Sequence, residues 1–323
     1  MLDSGPTVEI HPIRDIRTRD DHGQPIPVSV NHFPHRQCNY ACKFCFHTAL
    51  SSNKLKLEKA QGGLRLLKAA GMQRLNISGG EPFLHPEFLG KLFRYAKVEL
   101  DVDTGVICNG SKVTDQWLDT YGQYPNWMGV SCDSFNEDTN ELIGRRDGSK
   151  RHGEHWRRVQ RIAEYCHART PPLKFKMNTV VNRYNVEEDM NSALEVLKPQ
   201  RWKVFQVLLL EGENTGPGAL RNADDLVISN EEFQGFLKRH KAHNPVAEDN
   251  DAMENSYLLL DEEMRFLNCQ GGKKIPGRSI FEVGVHAVLA GAGWEPETFE
   301  DRGGIYDFGG QEPPRSLPEA LVF

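Results

Sequence analysis

The chain has 323 residues, 38% of them hydrophobic, which is enough for one large α/β domain with an appendage, or for two domains. Its 39 basic and 45 acidic residues leave a net charge of −6, which argues against a nucleic-acid-binding protein. The seven cysteines show no paired pattern, which excludes a secreted disulfide scaffold, and neither a signal peptide nor an apolar run of transmembrane length is visible.

A polar stretch precedes the first apolar run, and we predict residues 1–25 to be a flexible lead-in without a membrane anchor. Short apolar runs then predict six strands, at 26–33, 73–78, 105–109, 128–133, 173–181 and 202–210. Apolar residues at helical spacing between them predict helices at 57–70, 86–96, 115–121 and 154–167. Asn185, with Glu188 three residues later, has the pattern of a helix N-cap and predicts the start of a fifth helix.

Alternation of strands and helices over six units predicts a parallel sheet. Because six units do not complete an eight-fold barrel, the predicted fold class is α/β, a partial (β/α)6 barrel over 26–213, with an open doubly wound sheet as the alternative. After residue 213, Ser229 with Glu232 predicts a helix through His240, and 257–260 with 264–268 predicts a hairpin. A helix at 279–290 and a loop at 309–315 complete a predicted α+β extension, 214–323, which packs onto the open side of the barrel.

Three cysteines, Cys38, Cys42 and Cys45, follow the first predicted strand at C-x3-C-x2-C spacing. Their thiolates can hold three corners of a four-iron cluster, whose fourth iron then stays open to a small molecule. A zinc site with His47 as the fourth ligand, or unliganded thiols, are the alternatives. Structural zinc sites usually pair two short motifs, and the other cysteines are scattered singly, so the pattern favours the cluster.

Polar residues follow the next three predicted strands, at the carboxyl ends where α/β folds place function. Gly79 and Gly80 allow a backbone to approach a ligand closely, and Glu81 can accept a hydrogen bond from an ammonium group. Asn109 and Ser131 end the third and fourth strands. Ordinary turns at the glycines and at Asn109, and a helix cap near Ser131, are equally compatible with these residues.

Cations lie on the last two predicted strands of the barrel. Lys176 shares one strand face with Lys174 and Asn178, and Arg201 and Lys203 share a face of the next strand. Lysine in a strand usually marks a solvated face. Both strands are otherwise apolar on both sides, as buried parallel strands are, and buried cations need an anion. We interpret them as a site for a multiply charged substrate such as a polyphosphate.

Long strings of this sequence resemble the viperins and viperin-like radical S-adenosylmethionine (SAM) enzymes. They lie at 37–48 (QCNYACKFCFHT), 76–83 (NISGGEPF), 131–135 (SCDSF), 182–190 (NRYNVEEDM), 201–206 (RWKVFQ), 211–214 (EGEN) and 264–269 (MRFLNC). The similarity runs over about 30–306, nearly the whole chain. It implies a [4Fe–4S] cluster and SAM as cofactors, and conversion of a nucleoside triphosphate, most often CTP or UTP, to its 3′-deoxy-3′,4′-didehydro analogue, an antiviral chain terminator.

The resemblance also implies roles for individual residues. Cys38, Cys42 and Cys45 would bind the cluster. The implied cofactor contacts are Phe44, Gly79, Gly80, Asn109, Ser131 and Arg145, and the strand-end position adds Glu81 to them. Arg145 would pair with the methionine carboxylate. The implied substrate contacts are Asn31, Arg74, Lys176, Asn178, Arg201, Lys203 and Lys274. Tyr257 aligns with a tyrosine suspected of supplying a proton to the reduced substrate radical, a packed strand tyrosine being the alternative.

Partners implied by the family are an electron donor and iron–sulfur assembly proteins. This sequence departs from the animal enzymes in showing no N-terminal amphipathic helix, from which we predict a cytoplasmic location. Arg74 stands where those enzymes carry lysine, and 307–323 does not match their tail. A radical enzyme acting on a peptide and a non-catalytic antiviral scaffold are competing functions. The cations on the fifth and sixth predicted strands argue against a peptide substrate. The 79–82 motif and Arg145 argue against a scaffold, which would not need to bind the cofactor.

Overall fold

The computed structural model describes residues 16–147 and 154–306. Within them ten strands form one sheet. The strands are β1 (Ser29–His32), β2 (Arg74–Ile77), β3 (Asp103–Cys108), β4 (Trp127–Ser131), β5 (Lys174–Val181), β6 (Arg201–Gln206), β7 (Val246–Glu248), β8 (Leu258–Leu260), β9 (Arg265–Asn268) and β10 (Ile275–Ser279).

Six of these strands form the predicted barrel. β1 to β6 are neighbours in chain order, and each pairs in parallel with the next. A doubly wound sheet would instead reverse its strand order at a switch point. The partial (β/α)6 barrel is therefore confirmed, and the six predicted strands differ from the observed ones mainly at their ends.

The described residues also include eleven α-helices. They are α1 (Leu57–Ala69), α2 (Pro86–Val98), α3 (Asp115–Tyr121), α4 (Glu137–Leu142), α5 (Glu154–Ala168), α6 (Asn191–Leu197), α7 (Asn230–Arg239), α8 (Asn250–Met253), α9 (Ile280–Val283), α10 (Val285–Leu289) and α11 (Pro296–Asp301). Helix α1 illustrates why helical spacing of apolar residues predicted the helices, because Ala60, Leu64 and Leu67 are fully buried along one face. It ends before Gly71, whose φ of 102° suits glycine.

The C-terminal extension completes the sheet at both edges. β7 pairs in parallel with β6, and β8 pairs in parallel with β1 on the opposite side. The predicted hairpin is confirmed, because β8 and β9 are antiparallel with Leu260 opposite Phe266. The predicted capping box is also confirmed, since Ser229 and Glu232 cap each other at the start of α7. Strand edges that would otherwise expose unpaired backbone groups are thereby covered.

Two helix predictions were wrong. The fifth helix begins at Asn191, not near Asn185, because the side chain of Glu188 instead accepts hydrogen bonds from Ser134 and Phe135 at 2.6 and 2.8 Å. The predicted helix 279–290 is broken at Gly284, whose φ of 84° interrupts helical geometry between α9 and α10.

The two ends of the chain bear on the predicted boundaries. Residues 16–25 form a turn with an Arg19–Pro25 bridge, and Arg19 pairs with Glu297 of α11 at 2.5 Å. The lead-in 1–25 stays a prediction, and its residues 1–15, like the loop 309–315 and the tail 307–323, lie outside the described residues. Across 16–147 and 154–306, no helix combines the length and apolar character that crossing a bilayer requires.

Candidate active site

The cysteine loop, residues 37–48, leaves the carboxyl end of β1 and carries all three predicted cluster ligands. Backbone hydrogen bonds from Ala41 to Gly144 (3.2 Å) and from Lys43 to Ile143 (2.9 Å) tie it to the segment after α4. Gly144 makes this approach possible, because a Cβ atom there would lie 2.4 Å from the Ala41 carbonyl oxygen. Cys38 is exposed, and Cys42 and Cys45 are half-buried.

Gly79 and Gly80 brace the same loop. A Cβ atom on Gly80 would lie 1.8 Å from the carbonyl oxygen of Gln37, the residue before Cys38. Gly79 has a φ of 86°, and its Cβ would meet the backbone of Phe33 at 2.8 Å. The glycines were predicted to admit a ligand. The structure shows that Gly80 admits the backbone of the cysteine loop and that Gly79 admits the backbone of Phe33, while their contacts with a ligand stay predictions.

Glu81 and Asn109 connect the second and third strand ends to the cysteine loop. Glu81 is buried and accepts backbone hydrogen bonds from Phe83 (3.0 Å) and Asn109 (2.7 Å). Burial raises the pKa of Glu81 to about 7, against the effect of these bonds. The Asn109 amide nitrogen lies 3.9 Å from the Cys38 Sγ atom and 3.1 Å from the Asn39 side-chain oxygen. The contacts of Glu81 and Asn109 with the cofactor stay predictions.

Arg145 lies beside the loop, as its predicted role requires. Its Nε atom forms a buried ion pair with Asp133, and its guanidinium group is 5.7 Å from the centre of the Phe44 ring. Asp133 also accepts a hydrogen bond from the Val180 amide at 2.8 Å, which links Arg145 to β5. Ser131, at the end of β4, pairs in register with Asn178 of β5. Four of the predicted cofactor contacts, Phe44, Gly80, Asn109 and Arg145, thus lie in or against the cysteine loop.

The thiols fit a cluster better than a single metal ion. Among the described residues, no three His, Cys, Asp or Glu side chains converge on one metal position, as a zinc site would require. A four-iron cube spreads its ligands over separate corners and needs no such convergence. His47, the alternative zinc ligand, is engaged through its Nδ1 atom with Lys274 at 2.8 Å. Burial raises the pKa of Cys42 to about 11, so iron would have to displace its proton on binding.

Four of the predicted substrate contacts form a cationic cluster inside the barrel. Sheet register places Lys176 opposite Arg201 and Asn178 opposite Lys203. Lys176, Arg201 and Arg74 are 3, 5 and 8% exposed. Burial, together with repulsion from Arg201, Lys203 and Arg74, lowers the pKa of Lys176 well below its usual value. The strand pattern predicted that Lys176, Arg201 and Lys203 would lie together with an anion, and the binding of an anion to this cluster of Arg74, Lys176, Arg201 and Lys203 stays a prediction.

Two aromatic rings line the cationic cluster. The Lys176 ammonium lies 4.3 Å from the Trp127 ring centre, and Gly105 makes room for that indole, which a Cβ would meet at 1.8 Å. Tyr306, the last described residue, lies among the cations. Its ring centre is 4.5 Å from Lys176, 4.5 Å from Arg74 and 4.0 Å from Arg201, and its hydroxyl contacts the Lys176 Nζ atom.

Tyr257 lies at the edge of the same cluster. Its hydroxyl oxygen accepts a hydrogen bond from the Lys203 Nζ atom at 2.5 Å, and its hydrogen is donated to Glu248. The Arg302 guanidinium lies 3.8 Å from the centre of the Tyr257 ring and 3.4 Å from Glu248. The predicted proton donor and a predicted phosphate contact therefore belong to one group of side chains.

Of the remaining predicted substrate contacts, Asn178 and Asn31 lie on barrel strands and Lys274 lies elsewhere. The buried Asn178 Oδ1 atom has no hydrogen-bond partner in the described part of the chain, as expected of a group that awaits a ligand. Asn31, on β1, donates to the Leu258 carbonyl at 3.4 Å. Lys274 lies apart from the cationic cluster and is buried against the cysteine loop, where it donates to Phe46 at 2.5 Å and Glu213 at 3.0 Å. The structure does not bring Lys274 together with the other cations.

Sequence reasoning missed several residues of this region. Asp133, Glu248, Arg302, Trp127 and Tyr306 all contact predicted site residues. The sequence did offer one indication of Glu248, because this charged residue directly follows the apolar pair at 246–247. Arg302 and Tyr306 follow α11, more than 90 residues after β6, and no local pattern connects them to it.

The fold and the cysteine loop define a class of protein. The model of the radical SAM superfamily matches residues 33–197. Two solved structures show the same fold at 15% identity: SuiB of Streptococcus suis bound to S-adenosylmethionine (TM-score 0.60, 82% of this chain and 65% of that one) and anSMEcpe with bound AdoMet and a peptide (TM-score 0.53, 76% and 74%). The chain belongs to the radical SAM superfamily, and it is an enzyme whose cofactors are a [4Fe–4S] cluster and SAM.

Curated relatives narrow the class. The chain is 49% identical over 284 residues to the S-adenosylmethionine-dependent nucleotide dehydratase RSAD2 of Danio rerio, covering 87% of this chain and 78% of that protein. It is 34% identical over 296 residues to the S-adenosylmethionine-dependent nucleotide dehydratase of Flammeovirga pacifica, covering 88% and 98%. Within the superfamily, the chain belongs to the nucleotide dehydratase family, and the predicted viperin resemblance is confirmed.

Proposed function

We propose that this enzyme dehydrates the ribose of a nucleoside triphosphate, CTP or UTP, to the 3′-deoxy-3′,4′-didehydro nucleotide. The observation that carries the proposal is the cationic cluster of Arg74, Lys176, Arg201 and Lys203. Four cationic side chains that lie together inside the barrel create a positive potential that attracts a multiply charged anion. A triphosphate supplies that charge, whereas a peptide backbone does not.

The predicted cofactor contacts have matching places in the proposal. Cys38, Cys42 and Cys45 hold the cluster, and Arg145 with Glu81 receives the carboxylate and the ammonium of SAM. The other proposed contacts are Phe44, Gly79, Gly80, Asn109 and Ser131. When bound, cluster and cofactor supply a 5′-deoxyadenosyl radical that removes the ribose 4′ hydrogen.

The chain's own residues then act on the leaving group. The 3′ hydroxyl leaves as water, so one proton must be added to it, and we assign this proton to the Tyr257 hydroxyl. Loss of a hydrogen atom and of hydroxide leaves the sugar one electron short of the didehydro product. An electron-donor protein supplies that electron. The sugar thus needs an electron and no proton, so the proton from Tyr257 goes to the departing oxygen.

Other proposals follow from the product and the cluster. A nucleotide that lacks a 3′ hydroxyl cannot be extended, so the product would act as an antiviral chain terminator. Iron–sulfur assembly proteins load the cluster, and an oxygen-sensitive cluster suits the reducing cytoplasm. We propose that the extension 214–323 closes the nucleotide site, because Tyr257, Arg302 and Tyr306 all contact the cationic cluster or its edge.

The direct test uses reconstituted, anaerobic enzyme with dithionite as reductant. We expect CTP or UTP to accelerate 5′-deoxyadenosine formation and to yield a nucleotide lighter by one water. The four ribonucleoside triphosphates are compared in parallel, which also establishes base preference. Absence of stimulation by all four would refute the proposal.

A second test separates nucleotide binding from cofactor binding. Lys176→Ala removes a charge-assisted contact of about 1.5–3 kcal/mol, so we expect nucleotide affinity to fall by about 10- to 100-fold. SAM affinity is expected to stay unchanged. Lys174→Ala is the matched control, because Lys174 begins the same strand but is half-exposed. Equal losses of nucleotide and SAM affinity in Lys176→Ala would mean that this lysine supports the fold instead.

A further inference from the structure

Glu248, which has no assigned role, lies at the centre of a buried group of four side chains. It ends β7 and is 0% exposed. Its Oε1 atom forms ion pairs with Lys203 and with Arg302, the latter at 3.4 Å. Its Oε2 atom accepts the hydroxyl hydrogen of Tyr257. One carboxylate thus contacts a predicted phosphate ligand, a second cation and the proposed proton donor.

Four separate elements bring these side chains together. β7 pairs in parallel with β6 so that Glu248 lies opposite Phe205, which shares a strand face with Lys203. Tyr257 directly precedes β8, whose register with β1 fixes its position. Arg302 follows α11 and is held by the Ser256 carbonyl oxygen through two hydrogen bonds, at 3.0 and 3.2 Å. The group is therefore built by the fold and not by one flexible loop.

The charge states of the group are complementary. Burial alone would raise the pKa of Glu248, but Lys203 and Arg302 hold it below its usual value, so the carboxylate is ionised. Burial raises the pKa of Tyr257 well above 10, so its phenol stays neutral. The neutral Tyr257 phenol therefore retains its proton, and its hydrogen bond to the Glu248 carboxylate fixes its position.

We propose that Glu248 is a positioning residue, which holds the Tyr257 hydroxyl and the Lys203 ammonium at the edge of the nucleotide site. This inference rests on the proposed function. In the dehydration, the Tyr257 O–H bond breaks and its proton joins the departing hydroxyl as water. The electron pair stays on the phenolate oxygen, which the Lys203 ammonium contacts at 2.5 Å and can reprotonate. A displacement of the phenol by about 1 Å would cost up to about 100-fold in rate.

Glu248→Gln tests the role with little change of shape. The amide oxygen can still face Lys203 and Arg302, but the amide nitrogen then faces the Tyr257 hydroxyl as a donor. We expect kcat for nucleotide dehydration to fall by roughly 10- to 100-fold. KM is expected to change less than kcat, because loss of the anion favours a triphosphate while the lowered pKa of Lys203 opposes its binding. More 5′-deoxyadenosine should form per nucleotide dehydrated.

Controls distinguish positioning from folding. Glu254→Gln, at an exposed glutamate six residues away, should behave as wild type. Glu248→Asp keeps the charge but cannot reach the phenol, so it should lose kcat without raising KM, even if Glu248→Gln fails to fold. Glu248→Gln in a Tyr257→Phe background should add little further loss, since both changes act through the same hydroxyl.

Nucleotide affinity of cluster-free protein, measured by calorimetry, provides a readout independent of turnover. We expect Glu248→Gln to change nucleotide affinity by a smaller factor than it changes kcat. Weaker binding with an unchanged kcat, or losses that add fully to Tyr257→Phe, would overturn the inference. Wild-type activity in both Glu248 variants would overturn it as well. Failure of the wild-type enzyme to respond to any nucleotide would instead overturn the proposed function.

Discussion

The contact between Gly80 and the cysteine loop gives a prediction whose size follows from the structure. A methyl group at Gly80 would lie 1.8 Å from the Gln37 carbonyl oxygen and 2.5 Å from its carbonyl carbon. Non-bonded atoms of this kind need roughly 3.5 Å, so the backbones must separate by roughly 1.7 Å. Both partners are main chain, and no rotamer change relieves the clash. Because Cys38 follows Gln37, the displacement reaches a proposed cluster ligand.

We therefore expect Gly80→Ala to lose most of its iron and to bind SAM weakly, at a cost of about 1–3 kcal/mol or more in stability. Iron and sulfide per chain after anaerobic reconstitution, together with Tm, measure the effect. Gly62→Ala in α1 is the matched control, since its Cβ would meet only side chains, at the ordinary contact distances of 3.7 Å from the Phe281 ring and 3.8 Å from the Arg65 Nη2 atom. Alanine there should stabilise the helix by up to about 1 kcal/mol. Wild-type iron content in Gly80→Ala would refute the reasoning.

Two further predictions concern lysines. Lys274→Met should lower iron loading and Tm but leave the nucleotide affinity of cluster-free protein unchanged, as measured by calorimetry, because Lys274 contacts Phe46 and Glu213. A loss equal to that of Lys176→Ala would establish Lys274 as a phosphate contact instead. Burial lowers the pKa of Lys203 to about 7, and a bound triphosphate raises it, so calorimetric nucleotide affinity should be full below pH 7 and fall above it. Lys203→Arg stays charged and should remove this component of the pH dependence.

The central sheet could be predicted because buried parallel strands are recognisable as apolar runs separated by helical periods. Strand β7 could not, since it is three residues long and pairs with a strand far away in sequence. Strand β8 was predicted as half of a hairpin, but its parallel pairing with β1 was not. The pattern at Asn185 and Glu188 failed for a related reason. Glu188 finds its partners, Ser134 and Phe135, across the barrel rather than in its own helix.

The site shows the same division. Alternation within β5 and β6 predicted that Lys176, Arg201 and Lys203 would meet, because strand geometry alone determines it. The approach of Glu248 and Arg302 depends on how the extension returns to the barrel, which no local pattern records. Lys274 illustrates the opposite case: the family resemblance suggested a phosphate contact, and the structure places the side chain in a buried ionic network with Glu213.

The Tyr306 ring has a consequence for any binding measurement. It lies within 4.5 Å of Arg74, Lys176 and Arg201, so a nucleotide bound there as proposed would compete with an intramolecular occupant for the same three cations. A measured dissociation constant then equals the intrinsic one divided by the fraction of molecules in which the ring has withdrawn. Under the proposed function, affinity for the nucleotide is thus adjustable through the population of molecules in which the Tyr306 ring occupies these cations.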